Sequence, residues 1–205
     1  MSGPVKALSA KEADILTQFI RYDHTTAVEH IAAIRNQTIA VLMLDAGLRV
    51  GEVIQLVRND LYMAAAAVQS LTVREDIAKG HRRRDVPMSL RLQLYIREMA
   101  EKIWYGVNGT DFAYAFRGSK PGSHITSRQV ERIISKAGQV SLGFPVHPHM
   151  LRHTFATLLM AKTNIRVVQQ LLGHQSLQST QVYTHPNSVD LRNAIDSLHP
   201  STDEQ

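Results

Sequence analysis

Helical periodicity runs through most of this 205-residue chain and breaks once, between about residues 66 and 88, where two short runs of β-formers flank a basic stretch. These two observations predict a mainly α fold with a small antiparallel β-sheet, an α+β domain. With 44% hydrophobic residues the chain can bury a full core, and its length suits one large domain.

Residues 1–8 read as an irregular lead containing Gly3 and Pro4. Ser9 and Glu12 then form an S-x-x-E capping box, so the domain begins near Ser9 with a helix to about Tyr22. A second helix is expected from about Val28 to Ala46, ending at Gly47, a residue suited to a left-handed cap. A short helix from about Val50 to Val57 follows directly. VQSLTV alternates polar and apolar residues and reads as a strand, DVPM as a second, and Lys79, Gly80 and Arg82 to Arg84 fall at the hairpin turn between them. Helices resume from about Leu90 to Trp104 and, after loops containing GVNGTD and RGSKPGS, from about Ile125 to Gly138.

In the last third, Leu151, Phe155, Leu158 and Leu159 share one helical face, while His149, Arg152 and His153 lie on another. IRVVQQLLG is a compact helix that Gly173 should end, with His174 just beyond it. Asn187 or Ser188 reads as the cap of a last helix, residues 187–198, carrying Leu191, Ile195 and Leu198 on one side. A polar tail, 199–205, closes the chain.

A formal charge of +5 suits a polyanionic partner. The absence of cysteine excludes disulfides, thiolate catalysis and Cys-type zinc sites, and fits a reducing cytoplasm. The N-terminus lacks the apolar core of a secretory signal, and no apolar run approaches the roughly 20 residues that span a bilayer, so no membrane partner is expected. No Walker A or Rossmann glycine pattern occurs, which argues against a nucleotide cofactor. His147, His149 and His153 cluster, but without an H-E-x-x-H pattern, and no metal is assigned to them.

Taken singly, the polar residues of interest have ordinary structural readings. Arg49 can pair with Glu52, one helical turn away. His149 beside Pro148 can cap a helix, Lys79 can be a solvated turn residue, and Tyr183 can be a core residue with its hydroxyl at the surface. Their joint, ordered appearance is far more specific. DAGLRVGEVIQL resembles the first arginine motif of the tyrosine recombinases, the family of phage integrases and Xer-type enzymes. HPHMLRHTFATLL resembles their HxxR motif, LLGHQSLQSTQVYTH their histidine-to-tyrosine motif, and AKGHRRRDVPM the β-hairpin that supplies their catalytic lysine. The resemblance covers about Ser9 to Leu198 and implies the family's catalytic-domain fold over residues 9–186.

The resemblance implies a site-specific DNA recombinase that cleaves and rejoins DNA through a 3′-phosphotyrosyl intermediate, with no cofactor. Tyr183 would be the nucleophile, storing the bond energy as a phosphotyrosyl ester. Arg49 and Arg152 would stabilise charge on the nonbridging phosphate oxygens. By resemblance Lys79 protonates the departing 5′ oxygen. His149 serves as base for a phenol whose ordinary pKa is near 10, and His174 donates a hydrogen bond to the phosphate. Glu52 would hold Arg49, and His153 is left a structural or supporting role.

Arg82, Arg83, Arg84, Arg128 and Arg132, with Lys136 and Arg166, are candidates for the DNA face, against the alternative of an ordinary solvated basic surface. Double-stranded DNA is the expected partner, with self-association on it into a tetrameric synapse. The stripe Leu191, Ile195, Leu198 can pack on its own domain or, as the family implies, dock on a neighbouring protomer. Family members commonly carry an N-terminal core-binding domain. Eight residues precede Ser9 here, so the expectation is an excised catalytic domain or a short recombinase, similar in length to those that invert fimbrial promoters. A type IB topoisomerase or telomere resolvase, which shares the active-site chemistry, remains an alternative. So does a DNA-binding regulator that keeps the fold but does not cleave, although a damaged constellation would mark the latter and all six positions are filled here.

Overall fold

The computed structural model describes residues 7–23, 26–105, 114–173, 192–193 and 195–198. Helix α1 (Ala10–Tyr22) starts from the predicted capping box, Ser9 accepting from the Glu12 N–H while the Glu12 carboxylate receives the Ser9 N–H at 2.8 Å. Helix α2 (Ala27–Asp45) opens on a second box, Thr26 with Glu29. From Ile39 to Ala46 every residue of α2 and its cap is buried, because α1, α5 (Leu90–Met99) and α7 (Pro148–Met160) pack around it. A helix apolar on all sides is a core helix. Its one buried charge, Asp45, receives hydrogen bonds from Ser89 at 2.7 Å and from Arg91 at 2.5 and 3.1 Å, which fastens the end of α2 to the start of α5.

Short helices α3 (Val50–Ile54) and α4 (Arg58–Leu61) lead into two antiparallel pairs. The first, β1 (Tyr62–Met63) with β2 (Ala66–Ala67), is a tight hairpin that the sequence reading did not anticipate, since Ala64 and Ala65 carry none of the usual turn chemistry. The second, β3 (Ser70–Val73) with β4 (Arg84–Pro87), is the expected sheet, with Leu71 facing Val86 and Val73 facing Arg84. Strand β4 begins one residue earlier than DVPM suggests. The helix expected to reach Trp104 is regular only to Met99 and finishes in a π-helical turn, Ala100–Trp104.

Helices α6 (Ser127–Leu142), α7 and α8 (Ile165–Leu172) complete the domain. Leu151, Phe155 and Leu159 of α7 are fully buried, as their spacing requires, and Leu158 is half-buried. Near the C-terminus, Ile195 is fully buried in the core of this chain and Leu198 packs against it. Arg192 donates to the carbonyls of Met88 (2.9 Å) and Gln69 (2.8 Å), at the base of the β3–β4 pair. The expected cap at Asn187 or Ser188, and Leu191, lie outside the described residues. No helix among the described residues is long and apolar enough to cross a membrane.

Candidate active site

The site is built where α2 turns into α3. Gly47 adopts φ +61°, and a Cβ there would lie 2.4 Å from a ring carbon of Phe155 on α7. Glycine is therefore required twice, for the left-handed turn and for the close approach of α7. The turn leaves Arg49 as the N-cap of α3, and Glu52 at the third helical position reaches back to it. The Glu52 carboxylate accepts the Arg49 backbone N–H at 2.8 Å and the Arg49 guanidinium at 3.1 Å.

Arg152 enters from α7 and is buried. It donates to the carbonyl of Gly47 and, at 2.8 Å, to that of Leu172, and stands 4.0 Å from the Glu52 carboxylate. Burial, joined by the like charges of Arg49 and Arg84 and opposed by Glu52, pushes the Arg152 guanidinium down to about 9. Burial works against a charged Glu52 as well. The hydrogen bonds and charge of Arg84, the Arg49 N–H and the charge of Arg152 outweigh it and hold the carboxyl below its ordinary value.

Arg84 corrects an expectation. It does not lie on a DNA-facing turn: it is 8% exposed, and its guanidinium donates to both oxygens of Glu52, at 2.9 and 2.7 Å, and to the carbonyl of Leu171 at 2.9 Å. The reason is strand alternation. Arg84 opens β4 on the same face as Val86, which is fully buried, while Asp85 between them is exposed. Extending the strand by one residue would have revealed this. Three guanidinium groups thus converge on one carboxylate, leaving surplus positive charge in a low-dielectric setting suited to an anion. Two of them, Arg84 and Arg152, also cap the last carbonyls of α8, groups with no partner inside the helix. They fix the point where Gly173, at φ +64°, leads out toward His174.

Lys79 is exposed in the segment between β3 and β4, beside Gly80 at φ +86°. His149 and His153 are exposed on α7, one turn apart, flanking the buried Arg152. His147 caps the same helix and faces Glu131 at 3.6 Å. Arg82 and Arg83 are exposed beyond the sheet, and Arg128, Arg132 and Lys136 form an exposed row on α6. Arg166 on α8 is exposed as well. The structure therefore brings together Arg49, Glu52 and Arg152 and adds Arg84. His174 and Tyr183 lie outside the described residues.

Comparison with known proteins gives the class. The model of the Phage integrase family matches residues 6–189, and the chain belongs to that family. The tyrosine recombinase XerC of Oceanobacillus iheyensis is 38% identical over 172 residues, covering 81% of this chain and 54% of that protein, so the chain spans about half the length of such relatives. The crystal structure of XerA recombinase superposes with a TM-score of 0.69 at 29% identity, over 98% of this chain and 67% of that one. The lambda integrase catalytic core shares the fold, with a TM-score of 0.58 at 20% identity, over 82% of this chain and 91% of that one.

Proposed function

We propose that the chain is the catalytic domain of a site-specific DNA recombinase, cleaving and rejoining double-stranded DNA through a 3′-phosphotyrosyl bond. The observation that carries this reading is the convergence of Arg49 and Arg152 on one buried carboxylate, in a chain whose motif order is that of the tyrosine recombinases. In this mechanism the Tyr183 oxygen attacks the scissile phosphorus and the bond to the 5′ oxygen breaks. His149 accepts the phenolic proton, and Lys79 supplies a proton to the departing oxygen. Arg49, Arg152 and His174 stabilise the charge that builds on the nonbridging oxygens. The ester conserves the energy of the broken bond, so rejoining consumes no ATP.

Arg82, Arg83, Arg128 and Arg132 serve as phosphate contacts, and self-association on DNA into a tetramer brings the exchanging strands together. Ile195 seats in this chain's own core, and the same seat can accept the corresponding side chain of a neighbouring protomer. The test uses a duplex selected by the purified chain from a randomised pool, nicked so that the cleaved fragment diffuses away. A denaturing gel should show a covalent protein–DNA adduct with wild type and none with Tyr183→Phe. A wild-type chain without adduct, or an equal adduct with Tyr183→Phe, contradicts the reading.

A further inference from the structure

Of the three consecutive arginines at 82–84, two are exposed and one is buried. Burying a guanidinium is costly unless its partner and geometry are good. Arg84 has both: two parallel hydrogen bonds to Glu52 and a third, through Nε, to the carbonyl of Leu171. It lies five residues beyond Lys79, on the strand leaving that turn. One side chain therefore joins the Lys79 hairpin, the carboxylate beneath Arg49, and the end of the helix that leads to His174.

We propose that Arg84 is a positioning residue of the cleavage site, occupying Glu52 so that the carboxylate does not neutralise Arg49 and Arg152, which stay oriented for the scissile phosphate. Glu52 has two oxygens, and Arg84 engages both. With Arg84 absent, the carboxylate faces Arg49 at 3.1 Å and Arg152 at 4.0 Å alone. A carboxylate paired tightly with a phosphate-binding guanidinium cancels the charge that the developing phosphorane needs. Arg84 is itself buried, so it acts through Glu52 and the backbone it holds.

This inference rests on the recombinase reading, and its test separates the two. The chain and its Arg84→Met and Arg84→Lys variants are given the selected nicked duplex in two forms. One carries the ordinary scissile phosphate and the other a methylphosphonate at the mapped position, which has one fewer negative charge to stabilise. Adduct formation by Arg84→Met should slow about 100-fold on the phosphate, the scale of loss for a small misplacement, and less than about fivefold on the methylphosphonate. Arg84→Lys should fall between, since it returns the charge without the paired geometry. DNA affinity should stay within about twofold, because the contacts to phosphates elsewhere are intact. An equal loss on both substrates, or no loss on the phosphate, overturns the proposal. If Arg84→Met fails to fold by circular dichroism, the Arg84→Lys comparison decides by the same criterion. A wild-type chain that forms no adduct on either duplex overturns the recombinase reading, and the role of Arg84 falls with it.

Discussion

Arg84 and Glu52, 32 residues apart in sequence, meet through two parallel hydrogen bonds of 2.9 and 2.7 Å inside the domain. Removing one partner of a buried pair leaves the other charge uncompensated and costs about 3 to 5 kcal/mol. Glu52→Gln should therefore destabilise the chain by about that amount near neutral pH. Because the folded-state pKa of Glu52 lies below its unfolded value of about 4.3, the stability it supplies is complete above that pH. It is lost as the pH falls through the lower, folded value. Urea unfolding of wild type and Glu52→Gln should show a constant gap above about pH 5 that narrows below about pH 4. A gap that holds through more acidic conditions contradicts the account.

Gly47 links the arginine turn to α7, and its substitution tests that link. Gly47→Ala places a Cβ 2.4 Å from Phe155 on a backbone with φ +61°. The left-handed conformation and the overpacking together should cost about 3 kcal/mol in urea unfolding. A variant as stable as wild type would show that the turn relaxes freely.

The β1–β2 hairpin stores strain that can be removed. Ala64 and Ala65 form its two-residue loop with φ of +51° and +60°, a region unfavourable for residues bearing a Cβ. The double substitution Ala64→Asn with Ala65→Gly supplies the residue types that such a loop favours, and should raise stability by about 1 kcal/mol in urea unfolding. Unchanged or lower stability would contradict this.

The row on α6 is testable without knowing the target sequence. Arg128 and Arg132 are exposed and one turn apart, so both can reach phosphates. Replacing both with alanine should lower the slope of log affinity against log salt by about two, measured by fluorescence anisotropy on duplex DNA. An unchanged slope removes them from the interface.

What the sequence disclosed depended on whether the signal was local. The Ser9–Glu12 capping box, the Gly47 and Gly173 helix ends and the buried stripe of α7 all follow from spacing, and the structure has them. Arg49 and Glu52 were legible because they share one helical turn. Arg84 was not, because three adjacent arginines read as a solvated basic turn, and only strand alternation with Val86 marks it as inward-facing. Nor could spacing show that Arg84 and Arg152 cap the end of α8, since those contacts span 87 and 20 residues. The π-helical turn at Ala100–Trp104 was missed for a related reason. Its indole donates to the carbonyl of Ala115 at 3.2 Å, a tertiary bond that periodicity does not encode.

The central claim is that Tyr183 carries the DNA. Trypsin cleavage at Arg166 and Arg192 isolates Tyr183, with no other tyrosine, in the peptide Val167 to Arg192. The measurement is mass spectrometry of that peptide from the nuclease-trimmed covalent complex. A nucleotide joined through its 3′ phosphate to Tyr183, with a free 5′ hydroxyl on the released strand, is the predicted result. Attachment at any other residue, or a 5′-linked nucleotide, would contradict it.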